Sequence, residues 1–247
     1  HNMKQKDIPE RRSMNNKINR VMSFLILGLA FAAMIFETGN AVYTWSKQAD
    51  KEQRYTIVID PGHGGNDPGK IGINNVPEKD VNLAISLKLK DILEQNDCKV
   101  IMTRETDQGL YQDGDTNKKI ADLHARCRII NDSGADAVIS IHQNSFTSES
   151  SKGAQVFYQT TSEKGKVLAE ILQEQLVSGL DPENNRVGKA NSDYYMLKNT
   201  QAPMVIVECG FLSNTQEAEL LTQEAYQRRV AWTVALGTLQ YVSGGHN

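Results

Sequence analysis

The sequence predicts an α/β fold: a single domain with a largely parallel or mixed central sheet and helices on both faces. Apolar runs rich in Ile and Val, such as YTIVID, AVISI and MVIVE, are typical of buried strands. Between these runs, apolar residues recur at helical spacing, and strands that alternate with helices build this class of fold. A chain of 247 residues can bury one full core, so we expect one folded domain with an appendage.

The predicted elements follow one another closely along this domain. The first strand ends at the Pro-Gly turn after Asp60. Residues 78–95 form a helix that places Val81, Ile85 and Leu89 on one face and accepts Pro77 at its start. The other predicted elements are a strand at 98–104, a helix at 117–131, strands at 137–141 and 153–158, a helix at 163–177, a short strand at 193–197, a strand at 204–209 and a helix at 224–241. The last helix is apolar on more than one face, which predicts that other elements cover it.

The chain is predicted to contain four segments. They are a polar expression leader at residues 1–13, a signal peptide or membrane anchor at 14–45, a linker at 46–54 and the folded domain at 55–243.

An apolar run, VMSFLILGLAFAAMIF, follows the basic residues Lys17 and Arg20. As a helix it would be about 24 Å long, short of the roughly 30 Å hydrocarbon core of a bilayer. A cleaved secretory signal and an uncleaved, tilted anchor are both consistent with this length. With either one, the domain that follows is exported across a membrane.

Composition excludes some classes of function. The net charge of −3 gives no basic field for nucleic acid, so we expect no DNA or RNA partner. The three cysteines, Cys98, Cys127 and Cys209, lack the C-x-x-C spacing of a zinc knuckle or redox motif. We expect buried thiols and no obligatory disulfide.

Ionisable residues end three of the predicted strands. His63 follows the first strand, and His142 and Glu208 directly follow two later ones. Ligands collect at the carboxyl ends of strands in open α/β sheets, and an unpartnered buried charge there would cost several kcal/mol. A metal supplies the partner, and a catalytic zinc needs three nitrogen or oxygen ligands. Glu78 is the candidate third ligand, although a glutamate at a helix start is also stabilised by the helix dipole. His124, within a predicted helix, is expected at the surface.

Five motifs, in order, resemble those of the zinc-dependent N-acetylmuramoyl-L-alanine amidases of the amidase-3 family. They are IVIDPGHGG, PEKDVNL, MTRETD, SIHQN and VECGFLSN, and the resemblance covers residues 55–241. It implies that residues 55–243 are an amidase catalytic domain that holds one Zn²⁺ per chain through His63, Glu78 and His142. Glu208 is then the catalytic acid and base.

Other polar residues in the matched segments are expected to bind the substrate or to support the site. We assign Asn144, Arg104 and Arg126 to substrate binding or support, because arginines at such places usually satisfy a carbonyl or carboxylate. Family members commonly have a small residue where this chain has Gln143. We expect this difference to alter substrate access without touching a ligand.

The resemblance also implies a reaction and a setting. The substrate is peptidoglycan, and the reaction separates the lactyl group of N-acetylmuramic acid from L-alanine. The compact domain resembles the sporulation and germination-specific branch, which forms muramic-δ-lactam in the spore cortex together with a deacetylase. We expect a secreted or membrane-anchored protein of the spore envelope. A protein partner, or the membrane through the N-terminal segment, would supply localisation or activation.

Two alternatives remain at the level of sequence. The domain could be a peptidoglycan-binding module with a degenerate site, or a zinc peptidase that cuts within the stem peptide. Their products differ, because an amidase releases an intact stem peptide, a peptidase leaves a shortened stem on the sugar, and a binding module releases nothing.

Overall fold

The computed structural model describes residues 54–245, together with Met22, residues 29–31 and residues 33–36. The chain divides into two compact units, His1–Glu52 and Gln53–Asn247. In the first unit the described residues are helical and exposed. None of the helices among the described residues is long and apolar enough to cross a membrane. The predicted leader at 1–13 lies outside the described residues, as do most of the segments at 14–45 and 46–54, and all three stay predictions.

The second unit is built on one mixed sheet of six strands. Its spatial order is β2-β1-β3-β6-β4-β5. The strands are β1 (Tyr55–Pro61), β2 (Cys98–Met102), β3 (Ala137–Asn144), β4 (Gln155–Gln159), β5 (Lys189–Asn191) and β6 (Met204–Phe211). The four strands β2, β1, β3 and β6 are parallel, whereas β4 runs antiparallel to β6 and parallel to β5. The predicted mixed sheet is therefore confirmed.

Helices cover both faces of this sheet, as predicted. In chain order they are α1 (Glu78–Gln95), α2 (Lys118–Asp132), α3 (Glu163–Leu180), α4 (Tyr195–Asn199), α5 (Thr215–Leu221) and α6 (Glu224–Ser243). Successive side chains of a strand point to opposite faces. Thus Ile57 and Ile59 of β1 pack in the larger core, which contains apolar residues of α1, α3 and α6, while Val58 packs in a smaller core with residues of α2 and α4. The last helix is well covered, as its pattern predicted.

Asparagine and serine side chains start several of these helices. Asn117 accepts a hydrogen bond from the backbone N of Ile120 at the start of α2, and Ser162 accepts one from Gly165 at the start of α3. Asn214 accepts one from the backbone N of Glu217 and starts α5. Such caps satisfy backbone donors that have no partner within the helix.

Two details of the predicted order are wrong. Residues 193–197 are not a strand, because Asn191 accepts hydrogen bonds from the backbone N of Asp193 and Tyr194 and turns the chain into α4. A short strand that was not predicted, β5, lies just before this turn. Helix α5 was not predicted, although Asn214 followed three residues later by Glu217 is a recognisable helix-start signal.

The three cysteines are buried and free. Cys98 and Cys209 lie in the larger core, and Cys127 lies in the smaller one. Burial raises the pKa of the Cys98 and Cys127 thiols to about 11 and raises the pKa of Cys209 further. They behave as the small apolar residues that the sequence predicted.

Candidate metal centre and active site

Three candidate ligands, His63, Glu78 and His142, meet at the carboxyl ends of β1 and β3 and the start of α1. One ligand atom from each residue lies within 4.8 Å of the others. His63 Nε2 is 3.2 Å from Glu78 Oε2, and His142 Nδ1 is 3.0 Å from Glu78 Oε1. Two imidazole nitrogens and a carboxylate are a donor set that suits a catalytic zinc. The structure therefore brings together the three residues that the sequence singled out, in a group that could hold a metal ion.

Two glycines leave the space that these side chains occupy. A Cβ on Gly62 would overlap the imidazole ring of His142. Gly69 has φ +67°, and a Cβ there would lie 2.5 Å from Glu78 Oε2. His63 itself has φ 61°, in the left-handed region that most residues avoid. The glycine-rich turn after β1 thus allows the close approach of the three ligand candidates.

Glu78 is buried and held by several donors. Its Oε2 accepts a hydrogen bond from the backbone N of Lys70 at 2.9 Å, and its Oε1 accepts one from Asn82 Nδ2 at 3.3 Å. Burial alone would raise the pKa of Glu78, but hydrogen bonds and charge from His142 and His63 hold that pKa well below its usual range. Glu78 is therefore an ionised carboxylate at the centre of the group. Asn82, which received no role from the sequence, helps to orient it.

The expectation that the side chain of Gln143 alters substrate access is wrong. Its side chain is buried, and Nε2 donates to Asn82 Oδ1 at 3.1 Å, so the side chain points into the protein and not toward the substrate. Its backbone N also donates to Glu78 Oε1 at 3.1 Å. This contact is made by the backbone and does not depend on the side chain, so the difference at Gln143 itself touches no candidate ligand, as expected. Strand alternation turns the side chain away from the face that carries His142.

The second ring nitrogen of His63 is bound by Asp67. The distance from His63 Nδ1 to Asp67 Oδ2 is 2.9 Å, and Asp67 Oδ1 accepts a hydrogen bond from the backbone N of Gly69 at 3.1 Å. A carboxylate on the far nitrogen of a ligating histidine fixes its tautomer and ring orientation. Burial opposes ionisation of Asp67, yet the His63 hydrogen bond and charge keep its pKa lowered. Asp67 was not predicted as a site residue, although it lies four positions after His63 in the same turn.

We predict that Asp67→Asn weakens metal binding by the chain about 10- to 100-fold, since an amide holds His63 in place less well than a carboxylate. Competition between the protein and a metal-binding dye measures this affinity without reference to activity. Asp91→Asn, at an exposed position of α1, is the matched control. An unchanged affinity in the Asp67 variant would show that Asp67 does not position a ligand.

Glu208 lies beside the group on β6, in register with His142 of β3. It is only 9% exposed, and its Oε2 has no hydrogen-bond partner in the described part of the chain. Burial raises the pKa of Glu208 to about 7, helped by the charge of Glu78 and opposed by His142 and His63. A carboxyl group with such a pKa can take up and release a proton near neutral pH. Strand β3 extends to Asn144, so His142 lies within it, whereas the predicted strand ended at Ile141. Glu208 lies within β6, as it does in the predicted strand at 204–209.

Two buried arginines hold the turn that carries His63. Arg126 donates to Asp60 Oδ1 at 2.7 Å, to Asp122 Oδ2 at 2.6 Å and to the carbonyl oxygen of His63 at 2.6 Å. Arg104 donates to the carbonyl oxygens of Pro61 and Gly62, both at 3.0 Å. These are the carbonyl and carboxylate partners expected for supporting arginines.

Asn144 and His124 make contacts with other parts of the chain. Asn144 accepts a hydrogen bond from the backbone N of Ser145 at 2.8 Å, and its carbonyl oxygen accepts one from Leu212. These contacts shape the loop after β3. His124 is exposed, as predicted, and stacks on Tyr195 with ring centroids 5.7 Å apart.

Asp60 is the buried partner of Arg126. It also accepts hydrogen bonds from Thr103 Oγ1 at 2.7 Å and from Ser140 Oγ at 2.6 Å. Burial opposes ionisation, but the charge of Arg126 and these hydrogen bonds lower the pKa of Asp60 from 3.8 to about 2. A lowered pKa in the folded state contributes stability above pH 4, and this stability is lost as the pH falls toward 2.

We therefore predict a pH-dependent difference between the wild type and Asp60→Asn. Between pH 4 and pH 2, the free energy of unfolding of the wild type should fall by about 2 kcal/mol more than that of the variant. Urea unfolding at several pH values measures how the free energy of unfolding of each protein changes with pH. Asp91→Asn is the control. Equal slopes for Asp60→Asn and the wild type would contradict this role of the buried carboxylate.

A cleft of about 350 Å³ opens beside the candidate ligands. His63 and His142 form part of its wall, Leu123 and Met196 give it an apolar side, and Lys119 lies on the side formed by the start of α2. Clefts of this size, mostly apolar with a few polar groups, are typical of small-molecule sites. A substrate group bound here would lie against the candidate metal centre.

An open α/β sheet with a His-Glu-His group and a neighbouring protonatable carboxylate defines a metal-assisted hydrolase. The family model described as N-acetylmuramoyl-L-alanine amidase matches residues 57–240. The chain belongs to this family, Amidase_3, which is metal-dependent.

Individual relatives agree with this assignment. The chain is 35% identical to a germination-specific N-acetylmuramoyl-L-alanine amidase of Bacillus subtilis (strain 168), over 90% of this chain and 92% of the relative. The CwlD amidase of Clostridioides difficile, solved in complex with the GerS lipoprotein, is 41% identical with a TM-score of 0.75 and covers 77% of this chain and 100% of its own. An N-acetylmuramoyl-L-alanine amidase of Clostridium difficile 630 is 32% identical with a TM-score of 0.67, over 76% of this chain and 97% of its own.

Proposed function

We propose that this amidase is zinc-dependent and cleaves the amide between the lactyl group of N-acetylmuramic acid and the L-alanine of peptidoglycan. The observation that carries the proposal is Glu208, a buried carboxyl with a pKa raised to about 7 and a free Oε2, beside His63, Glu78 and His142. The three grouped residues fit one zinc ion per chain, because they offer two nitrogen donors and one ionised oxygen donor.

Each residue has a distinct part in this reaction. Bound zinc supplies a Lewis acid, which polarises a carbonyl and lowers the pKa of a water from about 15.7 toward 7. Glu208 takes a proton from the attacking water and delivers it to the amine of L-alanine, which otherwise leaves poorly as an anion. Asp67 and Asn82 keep His63 and Glu78 oriented.

Burial suits Glu208 to both proton transfers. A carboxylate in water, with a pKa near 4, is too weak a base and too rarely protonated at neutral pH. The raised pKa brings the two protonation states of Glu208 close in free energy, which favours a group that acts first as base and then as acid. Oε2 of Glu208 is buried and has no hydrogen-bond partner among residues 54–245, so no protein donor holds this oxygen in its ionised state.

We further propose that the chain acts on spore cortex peptidoglycan during sporulation, in the formation of muramic-δ-lactam. The relation to the germination-specific amidase of Bacillus subtilis supports this setting, since the alignment covers nearly all of both chains. The proposed location is the spore envelope, after export by the apolar segment VMSFLILGLAFAAMIF as a secreted or membrane-anchored protein. We also propose a protein partner that localises or activates the enzyme, because the similar CwlD amidase was solved in complex with a lipoprotein.

Removal and return of the metal test the proposed chemistry. The chain stripped with a chelator should release no stem peptide from peptidoglycan, and one equivalent of zinc should restore release. Mass spectrometry of the products should show intact stem peptides with a free L-alanine amine. Shortened stems left on the glycan would indicate a peptidase instead. Peptidoglycan that is bound but not cut by the zinc-loaded chain would indicate a binding module.

Glu208→Gln should lower kcat by at least about 10²- to 10⁴-fold, because the amide cannot carry the proton between water and amine. The variant should still bind about one zinc per chain, measured by atomic emission. Glu163→Gln, at an exposed position of α3, should match the wild type in both measurements. Turnover that survives in Glu208→Gln would remove Glu208 from the mechanism.

A further inference from the structure

The cleft beside the candidate metal centre has two lysines that the proposed chemistry does not use. Lys118 and Lys119, at the start of α2, line the same cleft as His63 and His142. Lys119 is exposed and close enough for its charge to act on Asp67, the partner of His63. The two lysines and the two candidate histidine ligands therefore line one cleft.

The acidic groups of this cleft are already engaged. Asp60 and Asp122 both bind Arg126, and Asp67 binds His63. These contacts are 2.6 to 2.9 Å long. Each carboxylate that could neutralise a lysine in the cleft thus has a nearer cationic or imidazole partner.

The lysines, in contrast, have weak partners or none. Lys118 Nζ is 3.8 Å from Oδ1 of Asp113, whose side chain is fully exposed, and 4.9 Å from the ring centroid of Tyr111. Exposed ion pairs of this length contribute little, so Lys118 can exchange this one for another anion. Lys119 makes no hydrogen bond or ion pair with any residue in the described range 54–245, and its one interaction there is the charge effect on Asp67. One wall of the cleft thus offers uncommitted ammonium groups, although the chain as a whole has a net charge of −3.

We propose that Lys119, assisted by Lys118, binds a free carboxylate of the stem peptide and makes the enzyme prefer stems that carry it. This inference rests on the proposed function. The stem begins at the scissile amide with L-alanine, and its next residue is a glutamate linked through its side chain, which leaves its α-carboxylate free. A carboxylate two residues from the scissile bond is the group best placed to enter a cleft of this size beside the candidate metal centre. Charge-assisted hydrogen bonds from a lysine would then strengthen substrate binding and fix the position of the stem peptide in the cleft.

The same geometry predicts which chemical change matters. Amidation of the α-carboxylate removes the negative charge and nearly keeps the shape of the group, so it should weaken the contact with Lys119. A carboxylate further along the stem, on a diaminopimelate residue, is the other source of the same chemistry. A substrate set that changes one carboxylate at a time separates these two sources.

The experiment uses the zinc-loaded full chain and three disaccharide-tetrapeptides. The first has the glutamate α-carboxylate and the diaminopimelate carboxylate free, the second has the glutamate α-carboxylate as an amide, and the third has the diaminopimelate carboxylate as an amide. The C-terminal carboxylate of the stem is free in all three. For the wild type, we expect kcat/KM to be about tenfold higher for the first substrate than for the second, and similar for the first and third. The preference should shrink as salt rises, since an exposed charge contact is screened.

Variants then assign the preference to the lysine. Lys119→Gln should reduce the ratio of kcat/KM between the first two substrates to about one, and Lys119→Glu should reverse it. Lys118→Gln should reduce the ratio in part. Lys99→Gln, at an exposed position of β2, should keep the wild-type ratio, and zinc content measured for each variant reports on the metal centre independently of activity.

The outcomes separate this inference from the function on which it rests. A wild-type ratio near one, or a ratio unchanged in Lys119→Gln and Lys119→Glu, overturns the proposal and leaves the amidase activity standing. A preference that follows the diaminopimelate carboxylate, and is lost in Lys119→Gln, supports the lysine contact with the second source. If the zinc-loaded chain releases stem peptide from none of the three substrates, the proposed function itself fails.

Discussion

The buried ion pair between Arg126 and Asp60 is the interaction on which the site depends most. It connects α2 to the end of β1. The same carboxylate accepts hydrogen bonds from Ser140 of β3 and from Thr103, the residue directly after β2. Through Nη2, Arg126 also donates a hydrogen bond to the carbonyl oxygen of His63. Removal of one partner of such a pair leaves an uncompensated buried charge, which costs about 3–5 kcal/mol. The pair thus links the stability of the sheet to the position of a candidate ligand.

A second constraint is the concentration of donors around Glu78. Two backbone amides, an asparagine side chain and two imidazoles all point to one carboxylate. These donors keep Glu78 ionised, while Glu208, on β6 beside His142 of β3, has an oxygen without a hydrogen-bond partner among the described residues and a raised pKa. The two carboxyl groups differ in environment and therefore in role. One suits a permanent ligand, and the other suits a group that exchanges protons.

The sequence predicted the sheet and the ligand candidates because both depend on local patterns. Buried strands are apolar, and ionisable residues at their ends are unusual enough to be noticed in one sequence. It did not predict Asp67, since an aspartate in a turn is common and only the fold shows that it reaches His63 Nδ1. The side chain of Gln143 was misassigned because strand β3 extends beyond the apolar run, so the alternation of faces continues through that residue. The turn at Asn191 was missed because side-chain contacts with the backbone, not apolar spacing, determine it.

The burial of the three cysteines has a consequence for a domain proposed to work outside the cytoplasm. Oxidation and disulfide exchange proceed through the thiolate, and a pKa of about 11 leaves Cys98 and Cys127 almost entirely protonated at neutral pH. Cys209 is more strongly protected, deep in the core beneath Glu208. The folded domain therefore tolerates an oxidising compartment without cross-links, and soft thiolate ligands do not compete with the imidazoles for a metal. The vulnerable period is the one before folding, when all three sulfurs are open to oxidants and to each other.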